Sequence, residues 1–542
     1  MRLDPRCLVL LCAIPTVDAA SLSVLSRSDD PSAPIAQIGR APDLDASGRF
    51  SVYVSPSSVL DGALYAALTA PIQGIFWPCT GDQLYVHDAY AGEHILVSRN
   101  QIVVQDVCAD GAATAPSISP GATRVAWLST ATNMTGDPPS PVAEVFVARL
   151  PNPFPLRLTS TGTGVNEAPD VADDGAVVYV RGSDRAASGD SNGQPDVYLL
   201  SGGTERWVST RSVVPWGASG PAREPAISGD GRFVVFESIA SDLTFGDTNA
   251  ARDVYLYATI PGAPLIRVSD APGADQVAAD SDQADIDASG RFVVFRSEAT
   301  NMVSGETAPM TSNIYLYERT TRRMQRVARN LGVSGYQSPS RPRIAPNGDY
   351  VVFEAVRGGS RVLLRWERVT EGLSRVADLP GLAPASTFAV ADSGRDVVFD
   401  NLVALAGVGE GPSQAYRARF TPGVLDVVGD TAPRVDEGGV LTVQIERTGG
   451  TDGAVDVWVA LETAADTAAA TFGRDFGSVG AVPRWRLSWE DGESGIRNLG
   501  FSIADDDIDE DDETLRLRLI EPGGDARIGP SHDALATIID DD

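Results

Sequence analysis

One turn-centred pattern, written seven times, constrains this chain more than any other feature of it. The copies are PDLDASGRFSVYVS from residue 42, PSISPGATRVAWLS from 116, PDVADDGAVVYVRG from 169, PAISGDGRFVVFES from 225, ADIDASGRFVVFRS from 284, PRIAPNGDYVVFEA from 342 and FAVADSGRDVVFDN from 388. A Gly after Asp, Ser or Asn supplies the positive φ of a tight turn, and the Val-Val-Phe run beyond it suits a strand buried in a stack of sheets. Each copy therefore reads as a hairpin. Most are followed by a second hairpin of alternating apolar and polar residues, such as QLYVHDAYAGEHILVS from 83, DVYLLSGGTERWVS from 196 and NIYLYERTTRRMQRVA from 313. Two hairpins make a four-stranded unit, and such a unit recurring every 45 to 75 residues is the signature of a β-propeller.

The count of blades is seven, with six left open because the interval from 42 to 116 is irregular and contains Cys79 and Cys108. The last copy and its partner strand QAYRARF, from 414, lack a fourth strand, whereas SLSVLSRS from 21 looks like the blade-ending strands HILVSRN and LIRVSDAP. The two ends of the ring are thus expected to clasp in one sheet, removing an edge that invites aggregation.

The formal charge of −30 opposes nucleic-acid binding over most of the surface. The 43 basic residues are all arginine, which excludes a Schiff-base or phosphate-loop lysine, and His87, His94 and His532 leave little for imidazole catalysis. Residues 1–19 read as a signal peptide: Arg2 and Arg6, an apolar run from Cys7 to Ile14, then Val17 and Ala19 before the cut. A lipid anchor on Cys12 would want a small residue where Leu11 stands. No run of about twenty apolar residues would span a bilayer as a helix. Cys79 and Cys108, an even pair in an oxidising compartment, are expected to form one disulfide.

The repeats resemble the TolB-type propeller family, whose blades carry a Pro-Asx, small-residue, Asp/Ser-Gly, aromatic, Val motif; the resemblance spans about residues 20–422. It implies the fold, and with it several uses: a peptide-binding surface, an assembly partner, or a companion to a hydrolase domain. Between hairpins, Asp190, Asn192 and Asp196, and likewise Asp247, Asn249 and Asp253, have the D-x-N-x-x-x-D spacing of a partial calcium loop. They lack the closing Glu of an EF-hand, so Asx-turns bonding local backbone compete with weak cation binding.

Beyond Val424 the repeat stops and six or seven alternating strands follow, among them GVLTVQIERTGG, AVDVWVALETA, ETLRLRLIEPGG and ALATIIDDD, as in an antiparallel β-sandwich. The acidic stretch FSIADDDIDEDDETLRLRL at 501–519 and the terminal TIIDDD sit directly on these strands, so the charges are held on a scaffold, where like carboxylates repel unless protonated, solvated or bridged by a cation. The succession VDEGG, GRDF, WEDGESG, ADDDIDEDDETL and ATIIDDD closely resembles a Calx-beta domain over 424–542. That resemblance implies Ca2+ ligands at Glu437, Asp475, Asp505, Asp506, Glu510, Glu513, Asp540, Asp541 and Asp542, with ADTAAATFGRDF departing from the family pattern before Asp475. Dense carboxylate oxygens suit the six to eight hard ligands calcium takes.

The expected fold class is all-β, a β-propeller plus an antiparallel immunoglobulin-like sandwich. The expected function is a secreted, non-enzymatic, calcium-binding protein whose propeller recognises a protein or glycan. It would be secreted, periplasmic or at the cell surface, with cell-envelope association left open. The alternatives are a propeller-borne hydrolase or lyase using channel carboxylates, and a TolB-like periplasmic assembly factor. No G-x-S-x-G elbow leads into an α/β segment.

Overall fold

The computed structural model describes the chain except for residues 1–20, 26–39, 57–80, 101–107, 152, 160–164, 183–191, 211–217, 271–278, 300, 304–311, 330, 333, 380–386, 402–404, 406–413, 452–454, 464–469, 471–483, 490–492, 506–510, 524–525 and 541–542. Every named element among the described residues is a strand. They fall into two units, Ser21–Phe420 and the segment from Thr421.

Seven four-stranded antiparallel sheets make up the first unit, six of them in simple meander order. Blade 1 opens with Arg40–Leu44, blade 2 with Ala113–Ile118, blade 3 with Asn166–Val171, blade 4 with Ala222–Ile227, blade 5 with Ser281–Ile286, blade 6 with Gln337–Ile344 and blade 7 with Phe388–Val390. These first strands neighbour one another in turn, and that of blade 7 returns to blade 1, so the ring is closed. Blade 7 takes its outer strand from the other end of the unit: Ser21–Val24 pairs antiparallel with Gln414–Arg419. This is the clasp the sequence predicts, and His94 Nε2 donates to the Leu25 carbonyl just beyond it at 2.9 Å.

The aromatic ending Val-Val-Phe lies opposite an aromatic of the third strand, because both occupy one face of the pleat. Tyr53 opposes Tyr85, Trp127 Phe146, Tyr179 Tyr198, Phe236 Tyr255, Phe295 Tyr315 and Phe399 Tyr416, with ring centroids 5.5–6.2 Å apart. Such cross-strand pairs, almost fully buried here, are the main cohesive unit of a sheet.

The turns of the repeat do more than reverse the chain. Hydrogen bonds donated by main-chain amides, two of them to aspartate side chains, link each to the next: Ala46 N to Pro120 O (2.8 Å), Gly121 N to Asp173 Oδ1 (2.7 Å), Asp173 N to Gly229 O (3.0 Å), Asp230 N to Ala288 O (3.1 Å), Ala288 N to Pro346 O (2.8 Å), Asn347 N to Asp392 Oδ1 (2.6 Å) and Asp392 N back to Ala46 O (2.8 Å). Gly290 shows why glycine holds its place there. Its φ is +67°, and a Cβ would lie 2.2 Å from the Phe233 ring of the preceding blade.

The blade-ending Val-Ser motif is explained as well. The hydroxyls of Ser98, Ser209 and Ser269 donate to Gln83, Asp196 and Asp253 at 2.6–2.9 Å, and each accepts the amide of the next third-strand residue at 2.9–3.1 Å. Cys108, packed beside Tyr53 and Leu96, is disulfide-bonded; Cys79 lies outside the described residues.

The second unit is a sandwich of two sheets. One contains Val424–Val428, Val440–Thr448, Gly495–Ser502 and Arg527–Ile528; the other contains Arg434–Asp436, Val455–Thr463, Arg484–Trp489, Glu513–Gly523 and Asp533–Ile539. Alternate residues such as Val443, Ile445, Val457, Val459, Leu515 and Leu517 meet in one core around Trp489. The sandwich is not wholly antiparallel: Val424–Val428 runs parallel to Arg527–Ile528, and Arg434–Asp436 parallel to Asp533–Ile539. The second of these parallel pairs positions the acidic end.

Candidate functional site

Asp436 pairs with Ile539, and the amide of Glu437 donates to the Ile539 carbonyl at 3.1 Å, so Glu437 enters its turn beside Asp540. Glu513, the first residue of its strand, pairs with Ile538 on the other flank of the same terminal strand. The turn of Glu437 is tied in addition to the segment after Phe501, since Gly438 N donates to Ala504 O (3.1 Å) and Ile503 N to Gly439 O (3.0 Å). A Cβ on Gly438 (φ +68°) would meet the Asp505 side chain at 3.2 Å.

Four of the nine acids predicted as ligands, Glu437, Asp505, Glu513 and Asp540, thus stand on backbone gathered at one end of the sandwich. Asp475, Asp506, Glu510, Asp541 and Asp542 lie outside the described residues. Among the described residues, no three His, Cys, Asp or Glu side chains converge closely enough to hold a metal ion. The donor set is nonetheless all carboxylate, the chemistry that suits calcium. Asp436 and Asp512 share this end and were not singled out from sequence; Asp512 is held by Arg434 at 2.6 Å.

Among the described residues, the propeller side chains with partial calcium spacing bond to the chain itself. Asn249 Oδ1 accepts the Ala251 amide (3.0 Å) and Asn192 Oδ1 that of Gln194 (2.8 Å), the local turn bonding expected of Asx residues. Asp247 accepts the Tyr255 hydroxyl at 2.9 Å, and the Arg267 guanidinium lies 3.7 Å from Asp247 and 3.8 Å from Asp253. A guanidinium therefore stands where a cation would. Burial pushes Asp253 up to about 6 despite the Ser269 hydroxyl and that positive charge. Asp190 lies outside the described residues.

Along the ring axis, the first strands enclose a cavity of about 610 Å3. Six of them carry a bulge whose central residue has a left-handed backbone: Ala41, Ala115, Ala168, Glu224, Gln283 and Arg341, with φ between 46° and 55°. Bulges re-aim the residues after them, and Asp43, Asp170, Asp285 and Arg343 line the cavity as a result.

Each of these aspartates reaches into the next blade. Asp43 accepts the Ile118 amide (2.8 Å), Asp170 that of Ile227 (2.8 Å) and Asp285 that of Ile344 (2.9 Å). Asp170 also takes the Ser117 hydroxyl at 2.6 Å. Enclosure by the ring pushes Asp43 up to about 7, against the Ile118 amide and with the charge of Asp170 adding to the effect. Asp170 and Asp285 are raised for the same chief reason, with Arg343 opposing. The Pro-Asp and Ala-Asp pairs were visible in the repeat, but their inter-blade role has no local signature.

Among the described residues, no helix is long and apolar enough to cross a membrane. A comparison with curated proteins finds no match. Residues 423–542 match the family model of the Calx-beta domain. Among solved structures, the apo form of the Calx CBD1 domain is 23% identical over 22% of this chain and 97% of that one, with a TM-score of 0.19. TolB from Acinetobacter baumannii is 16% identical over 54% of this chain and 58% of its own (TM-score 0.33). A putative TolB from Agrobacterium tumefaciens is 12% identical over 71% and 91% (TM-score 0.31). The propeller assignment rests on the seven closed sheets themselves. The chain is an all-β protein with a seven-bladed β-propeller over Ser21–Phe420, followed by a sandwich whose residues 423–542 match the Calx-beta domain model.

Proposed function

We propose that this is a secreted, non-enzymatic calcium-binding protein in which the propeller is a recognition platform for a protein or glycan and the Calx-beta domain is a calcium-stabilised module. The observation that carries the calcium reading is the gathering of Glu437, Asp505, Glu513 and Asp540, from separate parts of the chain, at one end of the sandwich by backbone pairing. Asp475, Asp506, Glu510, Asp541 and Asp542 complete the proposed ligand set. Extracellular sites of this chemistry have dissociation constants on the order of 10⁻⁴ to 10⁻³ M, so the ion would act as a structural lock.

Against the enzymatic reading, the channel carboxylates Asp43, Asp170 and Asp285 spend their oxygens on the amides of neighbouring blades. The test is calorimetric titration of the chelated protein with CaCl2, on wild type and on the Asp505→Ala/Asp506→Ala double variant. Heat that vanishes in the variant supports the assignment. An athermal wild type whose melting is also unmoved by calcium leaves only an acidic rim.

A further inference from the structure

One ring of equivalent positions around the axial cavity changes its chemistry from blade to blade. Just past the bulge, Asp43, Ser117, Asp170, Ala226, Asp285 and Arg343 each pair with the same place on the second strand of their blade. The three aspartates, on blades 1, 3 and 5, are already engaged. Asp43 accepts the Leu44 and Ile118 amides (2.9 and 2.8 Å). Asp170 accepts the Ser117 hydroxyl and the Val171 and Ile227 amides (2.6, 2.9 and 2.8 Å), and Asp285 the Ile344 amide (2.9 Å). Arg343, the basic residue of the ring, is exposed, lines the cavity and, among the described residues, makes no side-chain hydrogen bond or ion pair. Burial raises the aspartates of all three blades, and the charge of Arg343 opposes the rise in each. The guanidinium therefore stands toward the axis rather than against one wall.

A free charge of the opposite sign faces the same cavity. Glu224, at the left-handed bulge of blade 4 (φ 48°), is exposed and, among the described residues, likewise has no side-chain partner. The other charged groups of the lining are matched: Glu237 and Asp282 lie 3.6 and 3.7 Å from Arg252, and Arg341 lies 3.7 Å from Glu354. Glu224 and Arg343 remain, one of each sign, and they do not pair with each other. The volume of about 610 Å3 is that of a small-molecule site. Pro42, Pro116, Pro169, Pro225 and Pro342 add apolar surface to its lining.

We propose that the axial cavity binds a small zwitterion, its carboxylate on Arg343 and its ammonium on Glu224. A guanidinium presents a fork of donors that fits a carboxylate, and an ammonium brings three donors to an acceptor-only side chain. Both bonds are charge-assisted, and both gain from partial exclusion of water. Free amino acids and short peptides with uncapped ends share this chemistry. The proposal is separate from the reading of the propeller as a platform for a protein or glycan, and either can fail alone.

The experiment is fluorine NMR titration of the full chain with para-fluorophenylalanine, its N-acetyl and amide derivatives, and the tripeptide glycyl-para-fluorophenylalanyl-glycine. One of the two uncapped ligands is expected to bind about tenfold more tightly than either capped amino acid, each of which lacks one charge. A tighter amino acid identifies a single residue as the source of the chemistry, and a tighter tripeptide identifies the ends of a short peptide. The favoured ligand should weaken about tenfold in Arg343→Met and again in Glu224→Gln. Thermal melts identify a variant that does not fold, and the comparison of capped with uncapped ligands on wild type needs no variant. Capped forms that bind as well as uncapped ones, no binding by any of the four, or an uncapped advantage that survives either substitution in a folded variant overturns the proposal.

Discussion

Asp43 of blade 1 accepts the main-chain amide of Ile118 in blade 2 at 2.8 Å, so a carboxylate of the repeat motif joins two blades. Asp170 to Ile227 and Asp285 to Ile344 repeat the relationship around the axis. Replacing Asp43 with Ala leaves a buried amide without its acceptor, at a cost of roughly 1–3 kcal/mol. Urea unfolding of Asp43→Ala measures it, and an unchanged midpoint and slope would show that water substitutes without loss.

The same aspartates set a pH dependence. A carboxyl raised in the folded state takes up a proton on folding, so its favourable contribution is complete below the unfolded value of 3.8 and declines as pH rises toward about 7 for Asp43. Asp43→Asn is therefore expected to gain on wild type in unfolding free energy between about pH 4 and pH 7. Curves that run parallel across that window would remove Asp43 as the titrating group.

Blade 2 departs from the turn pattern: the left-handed position held by Gly48, Gly231 and Gly290 in other blades is occupied by Ala122, with φ of 50°. A Cβ there costs about 1–2 kcal/mol, partly offset by the entropy that glycine loses on folding. Ala122→Gly is expected to stabilise the propeller by about 0.5–1 kcal/mol, read from thermal or chemical denaturation.

Gly290→Ala combines a left-handed backbone with a Cβ only 2.2 Å from Phe233. It should destabilise by roughly 2–4 kcal/mol. Phe233→Leu in the same background should recover part of the loss, and a double variant no better than the single one would argue against the steric cause.

Calcium at about 10 mM should raise the stability of the sandwich by about 1.4–2.7 kcal/mol if its dissociation constant is on the order of 10⁻⁴ to 10⁻³ M. Calorimetric scans with calcium and with chelator provide the comparison. The shift should vanish in Asp505→Ala/Asp506→Ala while the propeller transition stays in place.

Ser23 pairs with Arg417 in the clasp. Ser23→Pro removes an amide donor from that strand and exposes the edge of Gln414–Arg419, so self-association measured by size exclusion should increase. A variant that stays monomeric with an unchanged melting temperature would mean the clasp contributes little.

Much of this architecture was legible in the residue pattern. Hairpin turns, period and the missing outer strand are local, so turn chemistry and strand alternation were enough to foresee the ring and its closure through Ser21–Val24. The sandwich strands were legible for the same reason, as was the Calx-beta likeness carried by the acidic motifs. The parallel pairing of Arg434–Asp436 with Asp533–Ile539 was not, because it joins segments about a hundred residues apart and no local preference encodes it. Nor could spacing show that Arg267 occupies the position a cation would take beside Asp247 and Asp253, or that Asp43 faces Ile118 rather than a ligand. What a carboxylate does is set by which donors and charges surround it, and those neighbours are chosen by long-range packing. Composition and periodicity determined the elements and their number, while the closed ring and the paired sheets decided which acids are structural staples and which gather where a calcium ion could be held.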